Sequence, residues 1–388
     1  MSLGRINVKT LAVYIHWPFC AAKCPYCDFN SHVRDAVEHA RWKNALLAEL
    51  AYYAPMLPDR RVTSIFFGGG TPSLMEAETV AALVDAVQKH WQVSNDVEIT
   101  LEANPSSVEA QKFKGFKQAG INRVSLGIQS LQDEALQFLG RKHTAKEALQ
   151  ALEIAGTIFD RHTFDLIYAR PEQTLAMWEE ELARALTFTK GHVSLYQLTI
   201  EENTPFHLYY SQQKFTLPDE EVAARMYERT TEMTSEHGLE WYEVSNYAAQ
   251  DQESRHNLSY WRGDDYIGIG PGAHGRYTTD VRHATRTVKM PEKWIVQVEE
   301  RGHGVQEDEI VPAETERDER ILMGLRVREG IEFARFREQT GNDLLPLLRA
   351  EKLERFVREG FLVQDENHIA PTAKGALILN HITHELLS

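Results

Sequence analysis

Short apolar runs recur along the first 200 residues and alternate with stretches whose hydrophobic positions repeat every three to four residues. The runs at 12–16, 64–67, 98–102, 123–127, 163–168 and 193–200 are rich in Val, Ile, Phe and Tyr, as strands buried on both faces should be. The stretches between them, at 36–54, 76–90, 108–118, 145–158 and 175–187, carry helical periodicity. Alternation of this kind predicts parallel strands joined by right-handed crossovers. Six such units predict an α/β fold, an open partial (β/α)6 barrel over residues 1–250. A closed eightfold barrel would need two more units.

After residue 201 the rhythm changes. A helix is expected at 219–237 and a strand at 241–244, at the edge of the sheet. Residues 251–290 read as loop, rich in Gly, Arg, His and aromatics, so 251–313 is expected as an irregular region packed on the barrel. From 314 to 388 the order is helix (317–326), helix (333–338), helix (344–360), a hairpin at 362–364 and 368–370, and a last helix. That order predicts a small winged-helix-like α+β domain, whose expected role is packing against the barrel.

Composition narrows the function. The 388 residues include 42 Lys and Arg against 57 Asp and Glu, a formal charge of −15. With no basic recognition helix, that balance argues against a nucleic-acid partner. No apolar run reaches the length of a membrane span. The first ten residues lack the charged-then-apolar layout of a signal peptide, so a cytoplasmic protein is expected.

All three cysteines, Cys20, Cys24 and Cys27, fall within eight residues directly after the first predicted strand. Their number is odd and too small for a disulfide framework; thiols clustered in a reducing compartment serve metal or catalysis. Three thiolates leave one iron of a cubane cluster without a protein ligand, an open position for a small molecule. Two rivals stay open. A zinc ion would need a fourth ligand such as His16 or His32, and the thiols could hold nothing.

Loops leaving the carboxyl ends of barrel strands converge on one mouth. Cys20, Gly69, Glu102, Gln129 and Asp165 each lie at or just beyond the end of a different predicted strand and are expected around one cavity. Gly68, Gly69 and Gly70 lack Cβ atoms, so backbone there can approach a ligand closely. Glu102 and Asp165 end apolar strands, where an unpaired charge is costly. Singly, each polar group reads as a satisfied structural residue. Their shared position at strand ends favours a site.

CxxxCxxC is the signature of the radical S-adenosylmethionine superfamily, and the resemblance runs much further. Residues 14–20 (YIHWPFC), 24–29 (CPYCDF), 66–73 (FFGGGTPS), 102–105 (EANP), 125–130 (SLGIQS) and 164–168 (FDLIY) resemble the branch that holds oxygen-independent coproporphyrinogen III oxidases and the HemW-type haem chaperones. The resemblance implies a [4Fe-4S] cluster on Cys20, Cys24 and Cys27 with exchangeable S-adenosylmethionine on the open iron. It implies that the segment Gly68 to Gly70 receives the methionine amino group, with Gly69, Gly70 and Thr71 binding cofactor, and that Tyr14 and Tyr26 flank cluster and cofactor. Glu102, Gln129, Arg141 and Asp165 would contact cofactor, with the Arg141 fork on the methionine carboxylate. A reduced cluster would then pass an electron to the sulfonium and break a carbon–sulfur bond.

Within the branch, the oxidases carry a further cysteine two residues after the third and a longer amino-terminal extension. Here that place is Phe29, and the first strand begins near Leu11. Residues 256–261 (HNLSYW) match the HNxxYW motif of the chaperones. The match implies bound haem, an acceptor haemoprotein as partner, and His256 as a candidate axial ligand, with His274 and Cys20 as alternatives. The plainer reading of that segment is a polar loop anchored by Tyr260 and Trp261. A haem chaperone is therefore expected first. Radical decarboxylation of coproporphyrinogen III comes second, and radical chemistry on another anionic metabolite third.

Overall fold

Leu11, Val13, Ile15 and Trp17 are buried in the main hydrophobic core, while Tyr14, pointing to the opposite face of the same strand, keeps part of its surface open. Ala12 and His16, on the same face as Tyr14, are buried as well, so β1 is covered on both sides, as a central parallel strand is. The computed structural model describes residues 9–387; the first eight positions, part of the segment read for an export signal, lie outside them. In chain order the strands are β1 (Thr10–Trp17), β2 (Phe19–Cys20), β3 (His32–Val33), β4 (Arg61–Gly69), β5 (Gln92–Ala103), β6 (Arg123–Gln129), β7 (Arg161–Tyr168) and β8 (His192–Gln197). They continue with β9 (Glu240–Glu243), β10 (Asn246–Ala248), β11 (Asp265–Ile269), β12 (His274–Thr278), β13 (Arg282–Thr287), β14 (Val305–Ile310), β15 (Ile331–Glu332), β16 (Leu362–Gln364) and β17 (His368–Pro371).

Among the described residues twelve strands form one sheet in the order β14-β13-β12-β11-β1-β4-β5-β6-β7-β8-β10-β9. The run from β1 to β8 is parallel, giving the six β/α units expected. The two ends of the order are different strands, so the barrel stays open. Helices begin where their sequences supply caps. Thr144 and Glu147 form a reciprocal capping box for Ala145–Ile158, and Asp219 caps Glu220–Glu236 through the Val222 amide at 2.8 Å.

The expectation of a loop at 251–290 is wrong, and with it that of an irregular region over 251–313. Arg255–Trp261 is a helix, β11 pairs in parallel with β1, and β12, β13 and β14 extend the same sheet antiparallel. β12 and β13 escape a hydropathy reading because they are Arg-, His- and Thr-rich, and β14 because it is acidic, as antiparallel strands at a sheet margin tolerate. β11, with Ile267 and Ile269 buried, is short but apolar. The helix expected at 344–360 is also interrupted. Leu345–Leu347 is one 3-10 turn, Leu348 is extended, and a helix resumes at Ala350–Arg358, because Pro346 cannot continue a helical hydrogen-bond ladder.

The carboxy-terminal unit has its own core of Ile321, Leu325, Phe336, Leu353, Phe356, Ile369 and Ile382, around helices and the three-stranded sheet β15-β17-β16. It docks on the sheet through the ion pairs Arg262–Glu329 and Arg335–Asp264, and through Arg326 over the Trp261 ring at 5.9 Å. Among the described residues no helix is long and apolar enough to cross a membrane.

Candidate functional site

Cys20 closes β2, and Cys24 and Cys27 follow in a turn closed by the Cys27 amide on the Cys24 carbonyl at 3.1 Å. All three thiols are free and part-exposed. Each has a polar neighbour. Thr71 Oγ1 donates to Cys20 Sγ at 3.4 Å, Arg141 Nη1 to Cys24 Sγ at 3.4 Å, and Ser31 Oγ lies 3.9 Å from Cys27 Sγ. Burial pushes the Cys20 and Cys27 thiols up. Neither histidine offered as a fourth zinc ligand is free: each is engaged in a hydrogen bond. His16 Nε2 donates to the Asn30 carbonyl at 2.9 Å, so its Nδ1 accepts from Tyr14 Oη at 3.0 Å, while His32 Nε2 is bound to Asn30 Oδ1 at 3.0 Å. Among the described residues no three His, Cys, Asp or Glu side chains form a group suited to a single metal ion.

The polar groups expected at the strand ends do come together. Asn104 links two cysteines: its Nδ2 donates to Thr71 Oγ1 at 3.2 Å, and its Oδ1 accepts from Arg141 Nη2 at 2.6 Å. Arg141 also donates to the Gly127 carbonyl at 2.7 Å. Gly69, at φ +112°, gives its amide to Glu102 Oε2 at 3.2 Å, and a Cβ there would lie 2.5 Å from the His16 ring. A Cβ on Gly70 would meet the Phe19 carbonyl at 2.8 Å. These glycines are therefore needed for close packing on β1 and β2 whatever binds beside them.

Gln129 has positive φ, 73°, and its buried Oε1 has no protein partner. A strained backbone carrying an unmet acceptor is the kind of feature found at ligand sites. Burial, and then the neighbouring Asp165 carboxylate, push Glu102 up to about 8; burial pushes Asp165 to about 6, opposed by Ser194 and Arg123. The Tyr14 and Tyr26 phenols are pushed up by burial. Two members of the constellation were missed by sequence. Asn104 lies two positions beyond Glu102, and Tyr196 sits exposed at the carboxyl end of β8, the strand paired with the one that carries Asp165. The strand-end rule could have found both.

His256 is elsewhere in role. It is buried, 1% exposed, with Nδ1 bound to Ser64 Oγ at 2.9 Å and Nε2 to Tyr260 Oη at 2.7 Å, and it stacks on Phe66 at 4.9 Å. Burial, with the Arg123 charge second, pushes it down to about 3. Haem ligation would require one of its two ring bonds to break. His274, by contrast, is exposed at the start of β12.

Residues 14–185 match the Radical SAM superfamily, and residues 311–378 match the HemN C-terminal domain. A heme chaperone HemW of Escherichia coli is 35% identical, covering 99% of this chain and 100% of its own. The chain belongs to the radical SAM superfamily, in its HemN-like branch. A mitochondrial Radical S-adenosyl methionine domain-containing protein 1 of Bos taurus is 37% identical over 97% of this chain and 87% of its own. The solved coproporphyrinogen III oxidase HemN of Escherichia coli superposes with a TM-score of 0.80 at 22% identity, over 98% of this chain and 91% of its own, and so shares the fold. Membership of this superfamily implies a [4Fe-4S] cluster and S-adenosylmethionine. The donors around Cys20, Cys24 and Cys27, the unmet Gln129 acceptor and the engagement of His16 and His32 fit that pair of groups better than zinc.

Proposed function

We propose that the chain is a haem chaperone that binds haem and transfers it to an acceptor haemoprotein. Cys20, Cys24 and Cys27 would hold the cluster, and the pocket bounded by Tyr14, Tyr26, Gly69, Gly70, Thr71, Glu102, Gln129, Arg141 and Asp165 would hold S-adenosylmethionine. The observation that carries this reading is Phe29. It stands where the oxidases of the branch carry an additional cysteine, and it is 58% exposed at the end of the cysteine loop. Full-length similarity to proteins named as heme chaperones supports it.

When bound, the cluster would supply the electron that cleaves S-adenosylmethionine. The chain's own groups do the positioning. The Arg141 guanidinium presents a planar fork at the mouth beside Cys24, Gln129 offers a free acceptor, and Glu102 and Asp165 offer hydrogen-bonding groups for hydroxyls. Haem would be held through an imidazole, from His256 after release of its ring bonds or from exposed His274, or through Cys20. A cytoplasmic setting suits clustered reduced thiols.

Anaerobic reconstitution followed by hemin titration tests the proposal. A Soret shift saturating at about one haem per chain is expected for a single-ligand site; absence of stable binding would sink it. The retained cofactor constellation favours radical decarboxylation of coproporphyrinogen III as the second reading. Protoporphyrinogen formed with dithionite and S-adenosylmethionine would establish that one instead.

A further inference from the structure

Asn30 lies three residues past Cys27 and carries four hydrogen bonds. Its carbonyl accepts from His16 Nε2 at 2.9 Å, and its Oδ1 accepts from His32 Nε2 at 3.0 Å. Its Nδ2 donates to the Pro271 carbonyl at 2.8 Å and the Lys289 carbonyl at 2.9 Å. Two acceptors on Nδ2 fix the orientation of the amide, since a flipped oxygen would face two carbonyl oxygens. The two carbonyls come from the turn between β11 and β12 and from the segment after β13, more than two hundred positions away in sequence.

Both sides of this junction are built for it. Gly272, at φ +75°, clears the space: a Cβ there would lie 2.6 Å from Asn30 Nδ2. Gly270, at φ +102°, would place a Cβ 2.4 Å from the His16 carbonyl. Behind the turn, buried Glu49 accepts from the Gly270 and Gly304 amides at 2.7 Å each and from Trp294 Nε1. On the cysteine side, β3 begins two residues after Asn30. It pairs His32 with Phe19 and Val33 with Cys20, while Ser31 Oγ faces Cys27 Sγ.

We infer that Asn30 is a positioning residue that pins the cysteine loop to the turn at 270–272 and so sets the spacing at which Cys20 and Cys27 receive the cluster. The inference rests on the cluster reading above. It gives the antiparallel extension a part in the site: without the pin, the same three thiols would hang from a loop whose ordering entropy must be met when iron is loaded.

Two variants test it. Asn30→Asp keeps the size of the side chain but turns a carboxylate toward two carbonyls; Asn30→Ala removes the amide. Hydrogen–deuterium exchange on the apoprotein reads the pin without iron. Amides in residues 20–33 should exchange about tenfold faster in both variants, the loss expected from one or two net hydrogen bonds, while β4 to β8 keep wild-type protection. After anaerobic reconstitution, a chelator should strip iron about tenfold faster from both variants. Gly272→Ala, which leaves Asn30 in place but crowds it, should reproduce the pattern. Unchanged exchange at 20–33, or loss of protection across the whole sheet, overturns the inference. A wild-type chain that takes up no iron while exchange still responds would bring down the cluster reading and leave Asn30 a structural clamp alone.

Discussion

Arg141 and Cys24 are 117 positions apart in the chain, yet Arg141 Nη1 lies 3.4 Å from Cys24 Sγ. The other arm of the same guanidinium reaches Asn104 and the Gly127 carbonyl. One side chain thus joins the cysteine loop to the carboxyl ends of β5 and β6. Two hydrogen bonds on one nitrogen aim the planar group, so little freedom is left to lose when an anion arrives.

That geometry makes Arg141→Lys a sharp test. A lysine keeps the charge but loses the fork, and a charge-assisted hydrogen bond lost is worth about 1.5–3 kcal/mol. S-adenosylmethionine binding by the reconstituted protein should therefore weaken by roughly tenfold or more. Calorimetric titration measures it, and an affinity equal to wild type would remove Arg141 from the pocket.

The cysteines allow a stoichiometric check. Cys27→Ser should lower iron after anaerobic reconstitution from about four atoms per chain to a small residue, since two thiolates cannot hold a cubane. Iron and sulfide assays with low-temperature electron paramagnetic resonance read the outcome. Full occupancy in the variant would point to a ligand outside the trio.

His256→Ala should destabilise the apoprotein by roughly 2–4 kcal/mol. It strands Ser64 Oγ and Tyr260 Oη in a buried place and leaves a void against Phe66. Urea unfolding measures this without haem or iron. A midpoint within error of wild type would mean that the Ser64–His256–Tyr260 chain does not form in solution.

Glu102 predicts a pH dependence of stability. Its folded value of about 8 lies above the ordinary 4.5, so the folded chain keeps a proton that the unfolded chain gives up. The stability contributed is full below 4.5 and is lost as pH rises towards 8. Glu102→Gln removes that loss. Its stability relative to wild type should climb across this window and level off above it. Parallel urea midpoints for the two proteins from pH 4 to 9 would count against the burial described.

The cysteine loop, the glycine triplet and the strand-end carboxylates were legible because parallel β/α topology is a rule about chain order. A polar residue that ends an apolar strand belongs at the mouth, whatever the intervening helices contain. Glu102, Asp165 and Gln129 follow that rule. β11, with Ile267 and Ile269 buried, lies within reach of a hydropathy reading, but β12 and β13 were not legible, because they bury alternate small or polar positions such as Gly275, Thr285 and Thr287 in place of the usual aliphatics. Hydropathy registers no strand there. Asn104, the residue directly after β5, falls under the same rule.

The sequence by itself determined the element types of the barrel and the cluster of three thiols, since both depend on neighbours a few positions apart. It also displayed the motif containing His256. Only the tertiary structure decided what that histidine touches, because Ser64 and Phe66 approach it from a strand nearly two hundred positions away. The same holds for Asn30, whose amide finds its acceptors on the far side of the chain. Spacing along the chain states which groups are present; the partner of a buried polar group is chosen by what the packed fold leaves within about 3 Å of it.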